Sequence, residues 1–235
     1  MNKICAKNAF TLIELLVVIS IILIASSIIF IGGSGGDGAK LSSSQRIVSG
    51  IAQGARGQAI LKNAETRLVI YADDKDEEKQ LRYFGIVYWG DDVDSSGNVT
   101  ATGWKAATQG TYLPEGIYFN ADLSQDSDGG KIPTMSLDFP RISVGSNTDR
   151  TDGGRGEQYY FYEFSSNGTM ASSSIETKNT DFSNSRLGLQ SGTLKPGSGT
   201  SLEVDFTEVE NENLKAGLIF RRTGTTTPIN DPSDV

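Results

Sequence analysis

The sequence predicts an α+β chain: one long N-terminal helix carrying a mostly antiparallel β-sheet head. Three observations predict it. A run of 22 residues, Phe10 to Ile31, is apolar except for Thr11, Glu14, Ser20, Ser26 and Ser27. A stripe of apolar residues at steps of three and four follows, up to about Ala64. From Thr66 the pattern changes to short β-branched and aromatic runs separated by Gly, Asp, Asn and Ser clusters.

The apolar run is long enough to span a bilayer as a helix, since 22 residues at 1.5 Å rise reach roughly 33 Å. Lys3 and Lys7 precede it, so the positive-inside rule places the N-terminus in the cytoplasm and the rest outside. A cleaved secretory signal fits less well. Its apolar core is about 7–15 residues and ends in a small-x-small site, whereas this run is longer and ends in Gly32 and Gly33. A plain anchor explains length and orientation but not Glu14. A charge near the bilayer centre costs at least about 2.5–3.5 kcal/mol, and such carboxylates pair with cations. Cleavage between Ala9 and Phe10 would supply the cation. Glu14 would then be the fifth residue, one turn from a new α-amine, and the amine of one subunit could neutralise Glu14 of its neighbour.

The stretch Gly32–Gly38, GGSGGDG, contains a literal G-x-G-x-x-G. The nucleotide-binding interpretation needs a preceding strand, and a membrane helix precedes it instead. Each Gly costs about 0.8–1 kcal/mol relative to Ala in a helix, so a hinge is expected over 32–38. An amphipathic helix is expected over 39–64, with Leu41, Val48, Ile51, Ala52, Ala55 and Ala59 on one face. A β-rich head is expected over 65–224, with strands at 66–72, 81–89, 116–120, 134–139, 158–164, 201–206 and 217–222. A polar tail, disordered or loosely docked, is expected over 225–235.

Bulk composition narrows the function. The 235 residues carry a formal charge of −8, spread along the chain, and contain no histidine. An acidic chain without a basic face is not expected to bind nucleic acid. Absence of imidazole removes the commonest base and metal ligand, and no Ser, Lys or carboxylate sits in a recognisable catalytic frame, so no enzyme activity is expected. Cys5 is the only cysteine. If residues 1–9 are a leader, its removal takes away Cys5, Lys3 and Lys7 and leaves a side-chain charge of −10.

AFTLIELLVVISIILIA, from Ala9 to Ala25, resembles the N-terminus of type IV pilins and type II secretion pseudopilins. The family pattern is a short basic leader, a small residue, then Phe-Thr-Leu-Ile-Glu and a hydrophobic helix; Ala9 stands where Gly is usual. The resemblance implies a pilin-like fold, a leader over 1–9, cleavage after Ala9 by prepilin peptidase, N-methylation of Phe10, and a role for Glu14 in assembly. The implied partners are the peptidase, other pilin-like subunits and an inner-membrane assembly platform. The implied location is the bacterial inner membrane with the head outside, then the filament. Ala55-Arg56, Ala59-Ile60 and Asn63, with Phe164–Thr169 and Arg221–Gly224, are similar to the GspH/FimT group of minor pseudopilins and minor pilins. The segment 90–157 is longer and more acidic than that group's pattern.

Two acidic clusters, 91–97 and 122–130, raise the question of calcium. An EF-hand register that places Asp126, Asp128 and Gly129 third, fifth and sixth puts Ser124 first and Met135 last, and fails at both ends. Major pseudopilins bind Ca²⁺ in a loop, which makes Asp126 and Asp128 the candidate ligands of a non-EF site. The preferred interpretation is solvated turns with no cofactor.

Overall fold

The structure, a computed structural model, describes residues 13, 15–19, 36–150, 155–171, 184–197, 202–207, 213–229 and 231. The chain divides into two units, Met1–Ala39 and Lys40–Val235.

In the first unit residues 13 and 15–19 are helical. Helix α1 runs from Gly36 to Lys62 and enters the second unit at Lys40. The expected Gly-rich break is therefore corrected over its last three residues: Gly36, Asp37 and Gly38 are already helical. Asp37 lies in the first turn and Lys62 in the last, where each charge opposes the end of the helix dipole. Residues 32–35 of the stretch lie outside the described residues. Asn63, at φ 49°, ends α1. The Ala64 N–H bonds back to the Ala59 carbonyl at 3.2 Å, as a left-handed C-cap requires.

The head contains two main antiparallel sheets. The first has six strands: β1 Thr66–Tyr71, β2 Tyr83–Val93, β3 Val99–Ala106, β4 Thr111–Tyr112, β6 Thr134–Leu137 and β7 Glu157–Phe164, in the order β3-β2-β1-β7-β6 with β4 beside β2. The second has four: β5 Ile117–Gln125, β8 Ser185–Ser191, β11 Lys215–Phe220 and β12 Thr226–Ile229, in the order β12-β11-β8-β5. A separate pair joins β9 Thr193–Pro196 to β10 Leu202–Asp205.

The period of two along β1 explains how these layers share a core. Leu68 and Ile70 face one side with Val48, Ala52 and Ala55 of α1, Phe84, Phe164, and Leu187, Leu218 and Phe220 of the second sheet. Val69 and Tyr71 face the other side with Trp104, Met135, Phe139, Tyr159 and Phe161. Every residue of β1 is buried, as expected of a central strand covered on both faces. The α1 stripe is buried as expected, with Ile51 only partly so. It also includes Ser44 and Gln45. Ser44 Oγ donates to the Lys40 carbonyl, while Gln45 Nε2 donates to the carbonyls of Gly217 and Ile229 at 2.8 and 2.9 Å. A glutamine thus ties α1 to β11 and β12.

All seven expected strands are present in whole or part, and the structure adds β3, β4, β8, β9 and β12. The added strands are short or broken by Gly, Ser, Thr, Lys or Pro, so they carry a weak sequence signal. The polar tail from 225 needs correction, because Thr226–Ile229 pairs with β11. Pro228, which has no N–H to donate, is tolerated there because β12 is an edge strand.

Arg67 is buried within the second core, beside the ring planes of Trp104 and Phe161, 4.1 and 4.0 Å from their centroids. Its guanidinium pairs with Glu163 Oε2 at 2.6 Å, with 5% and 16% of the two side chains exposed. Burial pulls the Arg67 pKa down and pushes that of Glu163 up, against the attraction of each for the other. Both shifts weaken the charged forms, so the pair holds because each partner compensates the other. Arg67→Met alone or Glu163→Leu alone should cost about 3–5 kcal/mol in urea unfolding, whereas the double variant should cost far less. Additive losses would contradict this account.

The outer edge of β3 is covered by the segment that follows β6. Thr148 N–H bonds to the Thr102 carbonyl, and Thr102 N–H to Asn147 Oδ1. Asp92 pins this cover: its Oδ2 accepts from Ser143 Oγ and the N–H groups of Val144 and Gly145, and Oδ1 pairs with Lys105 at 2.8 Å. Lys105 first, then Ser143, hold the Asp92 pKa well below the usual carboxylate range, against the opposing effect of burial. A depressed folded-state pKa contributes stability above the unfolded value, about 3.9, that is lost as pH falls toward the folded value. Asp92→Asn should therefore lower the urea midpoint at pH 7, and its gap from wild type should narrow progressively as pH falls below about 5. A constant gap would show that the Asp92 charge contributes nothing.

Candidate functional site

The N-terminal helical residues are apolar on every side. Ile13, Leu15, Leu16, Val17, Val18 and Ile19 are each between 48% and 69% exposed. A helix apolar all round is stable only in an apolar environment, either a protein core or a membrane. Ala9, Phe10 and Glu14 lie outside the described residues, as does most of the expected span 10–31. Among the described residues no helix is long and apolar enough to cross a membrane.

In the head, three sequence motifs meet at one place. Arg56 Nε, from the α1 motif, donates to the Gly168 carbonyl at 3.3 Å. Met170 N–H, just past Phe164–Thr169, donates to the Arg222 carbonyl at 3.0 Å. Gly224 has φ +75°, and a Cβ on it would lie 2.0 Å from the Gly168 carbonyl oxygen. Only glycine fits that approach and that backbone. Nearby, Ser49 Oγ and Gln53 Nε2 bond to Thr226 Oγ1 at 2.8 and 3.1 Å. The motifs therefore join the helix to the turn after β7 and to the turn between β11 and β12. This arrangement fixes the head on its helix.

The acidic loops serve chiefly as turns. Asp94 accepts from the N–H groups of Ser96 and Asn98, Asp76 from those of Glu78 and Lys79, and Asp205 from that of Thr207. This is the Asx-turn use of short carboxylates. Of the two candidate calcium ligands, Asp126 is buried and Asp128 exposed. Asp126 Oδ1 accepts from the N–H of Ser127 at 2.5 Å and from its hydroxyl at 3.2 Å. Burial raises the Asp126 pKa, against those hydrogen bonds. Among the described residues no group of three or more His, Cys, Asp or Glu is placed to hold a metal ion.

One feature escaped the sequence signals. A groove of about 520 Å³ opens between α1 and the β11–β12 edge, with Arg46 and Lys215 among its walls. Pro228 of β12, a strand the sequence assigned to the tail, forms part of its wall.

Comparison with known proteins gives two findings. Residues 5–30 match the model of the prokaryotic N-terminal methylation motif, a range that includes Ala9, Phe10 and Glu14. No curated protein matches the chain significantly. Among solved structures, the chain is similar to the type IV minor pilin FimU of Pseudomonas aeruginosa PAO1. That match has 11% identity and a TM-score of 0.37, over 83% of this chain and 91% of that one. The chain thus joins a prokaryotic methylation motif at its N-terminus to a head in which a helix packs on mostly antiparallel sheet.

Proposed function

We propose that this chain is a structural subunit of a type II secretion pseudopilus or a type IV pilus, assembled through its N-terminal helix. The carrying observation is the conjunction at the N-terminus. A segment matching a prokaryotic methylation motif holds residues that are helical, apolar all round and exposed. In this interpretation prepilin peptidase cuts after Ala9 and Phe10 becomes the methylated N-terminus. Segment 10–31 then holds the subunit in the inner membrane, head outside, until an assembly platform transfers it to the filament. Glu14 pairs with the terminal amine of a neighbouring subunit, which offsets its burial and sets the axial register of the helices. The GspH/FimT-like motifs in the head favour a minor subunit.

The test is Glu14→Val in the full chain, in cells that make the filament. It removes a buried charge, so retention in the membrane should be unaffected. Incorporation into sheared filaments should fall by at least about tenfold, because an unpaired intramembrane amine costs at least about 2.5–3.5 kcal/mol. Undiminished incorporation would reject the pairing. Wild-type protein that stays in the membrane and never enters filaments would favour a membrane-anchored extracytoplasmic binding domain.

A further inference from the structure

We propose that Asn167 is a self-modification site: attack by the Gly168 main-chain nitrogen converts its side-chain amide to aspartate and isoaspartate. This chemistry needs no enzyme and is independent of filament assembly.

The sequence singles out the position. Asn167 is the only asparagine in the chain that is followed by glycine. A following residue with a Cβ shields its own nitrogen from the preceding side chain. Glycine leaves that nitrogen open and lets the backbone reorient. Asn167 lies in the turn after β7 and is exposed to solvent.

The turn polarises the amide. Asn167 Oδ1 accepts from the Thr169 N–H at 3.0 Å and from the Thr169 hydroxyl at 2.7 Å. Attack at Cγ drives negative charge onto that oxygen, and donors already placed there stabilise it. Among the described residues no hydrogen bond holds Nδ2, the leaving nitrogen. One contact opposes the reaction: the Gly168 N–H donates to the Ser165 carbonyl at 2.7 Å. That bond must open first, by the local opening that surface turns undergo well below global unfolding. The Thr169 contacts do not involve Ser165, so they survive it.

The atoms balance with water as the only co-reactant. The Gly168 nitrogen bonds to Asn167 Cγ and the Cγ–Nδ2 bond breaks. The proton of the Gly168 nitrogen passes through solvent to Nδ2, which leaves as ammonia. Water then opens the cyclic imide at either carbonyl and gives aspartate or isoaspartate. Nothing is oxidised or reduced.

The fold sets the consequence. Gly168 is buried beside Arg56 and Ile60 of α1, and its carbonyl oxygen lies 2.0 Å from where a Cβ on Gly224 would fall. Aspartate leaves the main chain unchanged. Isoaspartate lengthens it by a methylene immediately before this clamped residue, which loosens the junction of the turn with α1.

The experiment uses the full chain, extracted from membranes in detergent and incubated at neutral and mildly alkaline pH. Peptides are sequenced by mass spectrometry over time. Amide-to-acid conversion should occur at Asn167, faster at alkaline pH, and ahead of Asn98 and Asn147, which are also exposed. Thr169→Val should slow it at least about tenfold, as the loss of one oxyanion donor predicts. Thr169→Ser, which keeps the hydroxyl, should convert at the wild-type rate. The isoaspartate-rich fraction should unfold at a lower temperature than unmodified protein. No conversion at Asn167, equal conversion at Asn98 or Asn147, or an unslowed Thr169→Val would overturn the proposal. So would a sugar adduct on Asn167, which with Thr169 also fits the pattern of a glycosylation acceptor.

Discussion

Four positions on one face of α1, Val48, Ala52, Ala55 and Ala59, are fully buried, and both main sheets pack into the core they share. The side chains are small, so each contributes little transfer free energy by itself. Their value is distance: a helix faced with alanine lets the sheets approach closely. At Gly54 a Cβ would already lie 3.2 Å from Ile86 Cδ1. Enlarging any of these side chains would force the sheet outward, and overpacking of this kind costs about 1–3 kcal/mol. The rest of the head follows from that contact. β1 can be buried on both faces because α1 covers one of them and the second core covers the other.

Polar groups then lock what the apolar contact positions. Gln45 bonds to two carbonyls at the β11–β12 edge, Arg56 reaches the turn at Gly168, and Ser49 and Gln53 hold Thr226. These bonds span the middle of α1, from Gln45 to Arg56. From Lys40 onward α1 belongs to the same compact unit as the sheets. Force on the helix would reach the sheets through these short contacts.

The sequence was most legible where periodicity and composition agree. The stripe of α1, the run in β1 and the aromatic strand β7 are strong signals because burial repeats at a fixed step. β8 and β12 were illegible for the opposite reason. β8 buries Leu187 and Leu189 but carries Gly188 between them, where Leu123 crosses closely. β12 is Thr226, Thr227, Pro228 and Ile229, a composition that reads as loop until β11 offers it an edge. Buried polar residues were also hidden, since nothing local marks Gln45 or Arg67 as interior. Their partners lie 172 residues away for Gln45 with Gly217 and 96 for Arg67 with Glu163. At the N-terminus, Ala9, Phe10 and Glu14 lie outside the described residues, so their roles stand as expectations drawn from a charge misplaced in an apolar run. The cationic groove was not legible, because its walls come from distant segments.

The central claim is that a short leader is removed and the apolar helix begins at a new amine. Intact-mass analysis of protein extracted from membranes of cells with active prepilin peptidase, with sequencing of the N-terminal peptide, tests it most directly. The account predicts a chain that begins at N-methylated Phe10 and lacks Cys5. A chain that still carries residues up to Ala9 would contradict it. Glu14 would then have no neighbouring amine, and the N-terminal helix would be a static anchor.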